Sequence, residues 1–272
     1  MTSVPLIRMN DGRTIPQFGF GVFQIRPADT AEAVRTALAA GYRHIDTAQM
    51  YRNEEGVGAG VRASGLPRED VFITTKLAND RHGYDDAISA LDESLERLGT
   101  DYVDLYLIHW PRPKANRYVE TWQAFEKLRA DGRARSIGVS NFKAEHMARL
   151  DTTPAVNQIE LHPALRQAEL REYHERHGIV TEAWSPIAQG AVLNEPAVLR
   201  LAERHGKSAA QVVLRWHIQM DNVVFPKSTH ADRIRENIDV FDFELTPDEM
   251  RAIDALDRGQ RTGPDPDRFP PN

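Results

Sequence analysis

Residues 71–110, VFITTKLANDRHGYDDAISALDESLERLGTDYVDLYLIHW, contain a complete strand–helix–strand pattern. The first segment (71–77) and the last (102–110) are rich in β-branched and aromatic residues, as buried strands are. A leucine repeat at helical spacing lies between them, flanked by charged residues: Leu91, Leu95 and Leu98. The stretch therefore predicts two parallel strands joined by a helix, which is the repeating unit of an α/β fold.

The same alternation recurs from end to end of the chain. Further strands are predicted near residues 19–22, 43–46, 134–141, 155–161, 178–184 and 222–225. Helical patterns separate them, and glycines stand where left-handed helix caps are needed: Gly99, Gly132, Gly178 and Gly206. Eight strand–helix units in about 250 residues match a closed (β/α)8 TIM barrel. We expect a single barrel domain over residues 1–272.

Both ends of the chain fall outside this repeat. LIRMNDGRTIPQF (6–18) contains Asn10-Asp11-Gly12 between two short strand patterns, which predicts an N-terminal β-hairpin. We expect this hairpin to plug the bottom of the barrel. The C-terminal tail, GPDPDRFPPN (263–272), is rich in proline and has no helical period, so we expect a loose surface segment.

Composition narrows the classes of function. The 272 residues include no cysteine, which excludes disulfides, thiolate metal sites and a cysteine nucleophile. The net charge is −6, which argues against a nucleic-acid partner. No secretory signal or membrane-spanning run is visible, and no large apolar surface stripe is evident. We therefore expect a cytoplasmic monomer that contacts neither membranes nor nucleic acids.

Polar side chains stand at the carboxyl ends of successive predicted strands, where TIM barrels carry their chemistry. Asp46, Lys76 and His109 follow the second, third and fourth strands, and Tyr51 lies on the loop beyond Asp46. Each alone has an ordinary structural explanation, such as helix capping, a solvated ammonium or core packing. A purely structural explanation would have to apply separately to all four residues, although they are predicted to lie at the same rim of the barrel.

Together these four groups predict a proton donor. A tyrosine has a pKa of about 10, and a nearby ammonium lowers that value. Asp46 would keep Lys76 charged and oriented, Lys76 would make Tyr51 usable as a general acid, and His109 would orient a carbonyl oxygen. Because no nucleophile or metal site accompanies them, a cofactor must supply the nucleophile, and hydride is the natural candidate. No G-x-G-x-x-G motif follows a strand, so a Rossmann-type site is not predicted.

The motifs GYRHIDTAQMYRNEEGVG, ITTKL, DYVDLYLIHWP, SIGVSNF, NQIELHP and VVFPKSTHADRIRENIDVFDFEL resemble those of the aldo-keto reductases, in particular the bacterial branch of the diketogluconate reductases. The resemblance covers nearly the whole chain. It implies NADPH-dependent reduction of a small aldehyde, ketone, dicarbonyl or keto sugar, with a catalytic tetrad of Asp46, Tyr51, Lys76 and His109.

The resemblance also implies a cofactor site. The predicted contacts to the nicotinamide end are Ser140, Asn141 and Gln158 for the carboxamide and Trp184 for the ring. The loop 185–190 would cover the pyrophosphate through Ser185, Ile187, Gln189 and Gly190. The adenosine end would be held by Lys227, Ser228, Thr229, Arg233, Glu236 and Asn237. Independently, cations at the start of a predicted helix form an anion site.

Some positions depart from the family pattern or carry a weaker prediction. His230 stands where related reductases often have arginine, which predicts a less strict preference for NADPH. Ala78 replaces a tryptophan of the substrate pocket, and Ser185 replaces a glycine. Phe23, Ala48, Trp110 and His109 match positions that contact substrate.

Two other functions remain open on the sequence. A metal-dependent hydrolase on the same barrel would use His44, Asp46, His109 and His162, all near strand ends. A catalytically silent module would keep the NADPH site alone, although the intact tetrad argues against it.

Overall fold

The computed structural model describes residues 4–269. Its first two strands, β1 (Leu6–Arg8) and β2 (Thr14–Pro16), form an antiparallel hairpin. The remaining strands form one eight-stranded parallel sheet in sequential order: β3 (Phe20–Gly21), β4 (His44–Asp46), β5 (Phe72–Leu77), β6 (Val103–Ile108), β7 (Ala134–Ser140), β8 (Val156–Glu160), β9 (Val180–Trp184) and β10 (Val223–Val224).

The sheet closes on itself beside its first strand. Phe18 and Val224 form a parallel bridge, and the Gly19 amide donates to the Val224 carbonyl at 2.7 Å. Closure leaves no unpaired edge and brings the carboxyl ends of all eight strands to one rim. The predicted (β/α)8 barrel is confirmed.

Helices surround the sheet in chain order: α1 (Pro27–Ala39), α2 (Glu54–Ala63), α3 (Tyr84–Leu98), α4 (Tyr118–Ala130), α5 (Ala144–Met147), α6 (Ala168–His177), α7 (Pro196–His205), α8 (Ala209–Gln219), α9 (Ala231–Ile238) and α10 (Pro247–Asp254). The predicted leucine stripe of α3 is buried, as are Trp122, Phe125 and Leu128 of α4. Two helices are additional to the one-strand, one-helix alternation: α7 and α8 both lie between β9 and β10, and α10 follows α9.

The hairpin packs into the base of the barrel, as predicted. Met9 and Ile15 are buried in an apolar cluster with interior residues of the strands, including Leu105, Val156 and Val180. This cluster fills the end of the barrel opposite the rim, so the barrel interior is closed at that end. Among residues 4–269, no helix has the length and apolar character needed to cross a bilayer.

The C-terminal tail differs from the expectation of a loose segment. Glu160 Oε1 accepts hydrogen bonds from the Thr262 amide at 2.5 Å and the Thr262 hydroxyl at 2.7 Å. Further along, Asp267 pairs with Lys143, and the ring of Phe269 lies 4.5 Å from that of Trp110. The prediction was wrong because a lack of helical period says nothing about side-chain anchors elsewhere in the fold.

Candidate active site

The four predicted catalytic side chains meet at the rim of the barrel. Alternation along the strands turns Asp46 and Lys76 inward at the ends of β4 and β5, and both are almost completely buried. A short 3-10 helix, Gln49–Tyr51, carries the half-buried Tyr51 over them. His109 follows β6, and its ring centroid lies 5.7 Å from that of Tyr51.

The ammonium of Lys76 organises this group. Nζ donates to Asp46 Oδ1 at 2.6 Å, to the Thr47 carbonyl at 2.9 Å and to Tyr51 Oη at 3.4 Å. These three contacts use all three ammonium hydrogens. Lys76 is therefore fixed between the carboxylate and the phenol, as the sequence predicts.

Burial and charge oppose each other at these groups. Burial acts to lower the pKa of Lys76, but Asp46 and Tyr51 outweigh it, so the net pKa is raised and the ammonium stays charged. Burial raises the pKa of Tyr51, and Lys76 only partly offsets this. Lys76 does act to lower the pKa of Tyr51, as expected. The expected net fall in that pKa is wrong, because burial of the phenol raises the pKa by more than the ammonium lowers it.

His109 is neutral near physiological pH. Burial lowers its pKa well below the ordinary value, and the charge of Lys76 acts in the same direction. A neutral imidazole has one N–H donor and one acceptor nitrogen. His109 can therefore donate a hydrogen bond to a carbonyl oxygen without adding charge beside the ammonium of Lys76.

The residues predicted to hold a nicotinamide form a continuous polar wall beside this group. Asn141 has a left-handed backbone (φ 62°), which asparagine tolerates better than most residues. Its Nδ2 donates to the His109 carbonyl at 3.0 Å, and its Oδ1 accepts from Trp184 Nε1 at 2.8 Å. Ser140 donates to the carbonyl of Gln158 at 2.9 Å. The predicted carboxamide and stacking residues thus share one hydrogen-bonded unit with His109.

Trp184 is also covered by the tail. A Cβ on Gly263 would lie 2.3 Å from the Trp184 ring, so only glycine allows the chain to pass there. Thr262 and the Gly263 amide are both held by Glu160, the latter at 3.1 Å. The tail therefore fixes one edge of the predicted nicotinamide platform.

The predicted pyrophosphate loop has a strained backbone. Ser185, Ala188 and Gln189 are all left-handed, with φ of 50°, 50° and 54°. The position of Ser185 in this region explains why a glycine is favoured there, since glycine adopts positive φ at little cost.

The predicted adenosine site is the segment between β10 and α9. Lys227, Thr229 and Arg233 are exposed, whereas Ser228 is buried and accepts a hydrogen bond from the His230 amide at 3.1 Å. The N-cap of α9, His230, makes no side-chain cap bond. First-turn amides and exposed cations together fit an anionic group.

The residues of the predicted metal site do not converge. His44 contacts Thr74 at 2.9 Å, and His162 contacts Glu160 at 3.2 Å. Within residues 4–269, the one set of three candidate ligands is Glu145, His146 and Asp267, where Asp267 is already paired with Lys143. The donor geometry does not support the hydrolase hypothesis.

Sequence reasoning missed Glu182, a completely buried carboxyl on β9. Gln158 Nε2 donates to Glu182 Oε2 and to Asp46 Oδ2, each at 2.8 Å. The signal was available, because Glu182 lies two residues before Trp184 on the same strand and alternation turns both to the barrel interior.

A closed barrel with a phenol, an ammonium and a neutral imidazole together at its rim has the groups that an enzyme needs to transfer a proton. The model of the aldo/keto reductase family matches residues 17–258, and the chain belongs to this family. It is an NADPH-dependent oxidoreductase that acts on carbonyl groups.

Known proteins resemble the chain over nearly its full length. An aldo-keto reductase of Mycobacterium sp. (strain KMS) is 56% identical over 269 residues, which cover 97% of this chain and 98% of the relative. The glyoxal reductase of Bacillus subtilis (strain 168) is 49% identical over 97% of this chain and 96% of its own length. A crystal structure of a Gox0644 mutant in complex with NADPH has a TM-score of 0.94 and 47% identity, and the match covers 97% of this chain and 98% of the other.

Proposed function

We propose that this reductase converts small neutral aldehydes, ketones and dicarbonyls to alcohols, with Tyr51 as the general acid. The observation that carries the proposal is the contact of Lys76 Nζ with both Asp46 and Tyr51, directly beside His109. Asp46, Tyr51, Lys76 and His109 then act as the catalytic tetrad. When bound, NADPH supplies the hydride that adds to the carbonyl carbon.

Tyr51 gives its proton to the carbonyl oxygen as negative charge develops there. Its raised pKa keeps the phenol protonated near neutral pH, so the donor form predominates before reaction. The adjacent Lys76 stabilises the phenolate left behind, which reduces the free energy required for proton transfer. His109 donates to the same oxygen and orients it.

The nicotinamide end of the cofactor would be held beside the tetrad. Gln158 donates its amide hydrogens to two carboxyl groups, which leaves Oε1 as the acceptor for a carboxamide NH2. Ser140 and Asn141 complete the carboxamide site, and Trp184 provides the stacking face. The pyrophosphate would lie under the loop formed by Ser185, Ile187, Gln189 and Gly190.

The adenosine end would bind the segment at the start of α9. Lys227 and Arg233 would meet the 2′-phosphate, with Ser228 and Thr229 as hydroxyl donors. Glu236 and Asn237 would contact the adenine. Because His230 adds no fixed charge here, we expect NADPH to be preferred over NADH less strictly than in reductases with an arginine at that position.

The substrate side of the rim is apolar. Phe23 is 54% exposed and its ring lies 4.9 Å from that of Tyr51, while Trp110 packs against Phe269. Ala48, just before the 3-10 helix that carries Tyr51, is buried. Two cations of the loop after β6 are held by contacts within the fold, since Arg112 donates to the Asn79 carbonyl and Arg117 lies 3.4 Å from Glu120. The apolar lining favours neutral substrates over keto acids, and the likeness to a protein named glyoxal reductase supports a small dicarbonyl.

Tyr51→Phe tests the acid directly. Single-turnover reduction with bound NADPH should slow by about 10²–10⁴-fold, the range of general acid catalysis. NADPH affinity, measured separately by fluorescence titration, should stay close to wild type. Tyr84→Phe is the matched control, because Tyr84 lies exposed at the start of α3. Retained single-turnover reduction in Tyr51→Phe would remove Tyr51 from the mechanism.

A substrate panel tests the proposed class. NADPH oxidation should be fastest with small dicarbonyls, slower with neutral keto sugars and slowest with keto acids of similar size. Repeating the panel with NADH measures the strictness of the cofactor preference. A preference for keto acids would contradict the assignment to neutral substrates, and tight NADPH binding without any turnover would favour a silent module.

A further inference from the structure

Glu182 is a second carboxyl beneath the proposed tetrad, and the proposed reaction does not use it. It lies on β9 in the barrel interior and is completely buried. Oε2 accepts from Gln158 Nε2 at 2.8 Å, whereas Oε1 has no hydrogen-bond partner within residues 4–269. A buried carboxyl with one unpaired oxygen is costly to retain, and the cost is much larger when the group is ionised than when it is neutral.

Gln158 ties Glu182 to Asp46. Its Nε2 stands 2.8 Å from Asp46 Oδ2 and 2.8 Å from Glu182 Oε2, so the amide bridges two acids. Within the described residues, Lys76 is the cation that contacts this cluster, and its ammonium donates to Asp46, Thr47 and Tyr51. If both acids were ionised, the cluster would hold an uncompensated negative charge in a dry interior, which is strongly unfavourable.

Among the described residues, Asp46 and Lys76 are the charged groups that act on Glu182. Burial and the charge of Asp46 raise the pKa of Glu182 to about 8, against the smaller opposing effects of Gln158 and Lys76. On one side, β10 has no titratable residue. On the other side, Glu160 of β8 is ionised: burial opposes this, but hydrogen bonds from His162 and Thr262 lower its pKa to about 2, and Arg261 lies 3.4 Å from its Oε2. Across the barrel, His44 of β4 is neutral because burial lowers its pKa to about 3.

We propose that Glu182 is a positioning residue: its neutral carboxyl holds the Gln158 amide against Asp46, and its ionisation in alkaline solution keeps Tyr51 protonated. The added negative charge beneath Lys76 opposes formation of a phenolate at Tyr51. Carbonyl reduction needs the phenol, so it persists to higher pH. The proposal rests on the role of Tyr51 proposed above.

Glu182→Gln separates the two states, since glutamine keeps the shape and neutrality of the protonated acid but cannot ionise. At about pH 7, kcat/KM for reduction should stay within about twofold of wild type, because the acid is neutral there. The alkaline fall of kcat/KM for reduction should move about one pH unit lower, as the phenol loses its proton earlier. Alcohol oxidation needs the phenolate, so its kcat/KM rises with pH. The midpoint of that rise should also move to lower pH in Glu182→Gln.

Glu249→Gln is the matched control. Glu249 is also a buried glutamate, but it lies on α10 against Arg204 and His205. The pH midpoints of kcat/KM for reduction and for oxidation in Glu249→Gln should equal those of the wild-type enzyme. Unchanged midpoints in Glu182→Gln would overturn the proposal, and so would a uniform loss of activity at every pH, since a purely structural residue changes rate without moving a midpoint.

A measurement on wild-type protein covers the case in which Glu182→Gln does not fold. Infrared difference spectra between about pH 7 and about pH 9 should show loss of a protonated-carboxyl band, across the pKa of Glu182 at about 8. Absence of that band would refute the proposal without any variant. The band does not depend on turnover, so failure of the Tyr51 assignment and failure of the Glu182 assignment give different results.

Discussion

The two ends of the proposed cofactor cleft are built in opposite ways. At the reacting end, the charges of Asp46 and Lys76 are buried and meet at 2.6 Å. At the adenosine end, Lys227 and Arg233 are exposed, and neither forms a salt bridge in the described part of the chain. The barrel strands fix the first set before any ligand arrives, whereas the second set remains hydrated until an anion replaces the water.

This difference decides how each end responds to change. Breaking a buried ion pair leaves an uncompensated charge and costs several kcal/mol. An exposed cation contributes modestly and is screened by salt over a Debye length of about 8 Å at physiological ionic strength. Substitutions at the reacting end should therefore alter both folding and chemistry, and those at the adenosine end only binding.

Lys76→Met should have the largest effect. It leaves Asp46 buried without its cation, so the free energy of unfolding should fall by about 3–5 kcal/mol. Reduction should slow by about 10²–10⁴-fold, because Tyr51 loses the group that stabilises its phenolate. Chemical denaturation and single-turnover kinetics measure the two effects independently.

Lys114→Met is the control for this change. Lys114 is exposed on the loop after β6, and its loss should leave both quantities near wild type. If Lys76→Met were as stable as Lys114→Met, the contrast between a buried, fixed end and an exposed end would fail.

Arg233→Ala should act on binding alone. Loss of one charge-assisted contact to a phosphate should raise KM for NADPH about tenfold and leave kcat and stability unchanged. KM for NADH, which lacks the 2′-phosphate, should barely move. The difference from wild type should shrink as salt rises, because the contact is exposed.

Arg235→Ala provides the comparison on the same helix. Arg235 is also exposed but pairs with Asp232 at 3.3 Å, so its removal should not change either KM. An equal rise in KM for NADPH and NADH in Arg233→Ala would place Arg233 away from the 2′-phosphate.

The sequence predicted the barrel and the converging rim because both follow from periodicity. Strand spacing gives the ends, and alternation gives the direction of Asp46, Lys76 and Gln158. The net pKa of Tyr51 could not be predicted, since it depends on how much water the folded site excludes. Tail packing was equally hidden, because its anchor, Glu160, lies about a hundred residues earlier.

The smallest change is expected at the C-terminal tail, which borders the buried reacting end of the cleft but is anchored by residues at the surface. Asp267 pairs with Lys143 and lies 3.3 Å from His146 Nε2, with its side chain 42% exposed. Asp267→Asn should change stability by less than about 1 kcal/mol. Because the same segment places Phe269 against Trp110, KM for bulky aldehydes should still change by about two- to threefold.

Asp248→Asn separates this effect from a general loss of surface charge. Asp248 forms an exposed ion pair with Arg251 within α10, which carries none of the predicted site residues. Both variants should melt close to wild type, but only Asp267→Asn should shift KM, and only for substrates large enough to reach Phe269. A shift of equal size with a small dicarbonyl would mean that the tail acts on the tetrad itself. The tail would then belong to the fixed, reacting end of the cleft, although it lies at the surface.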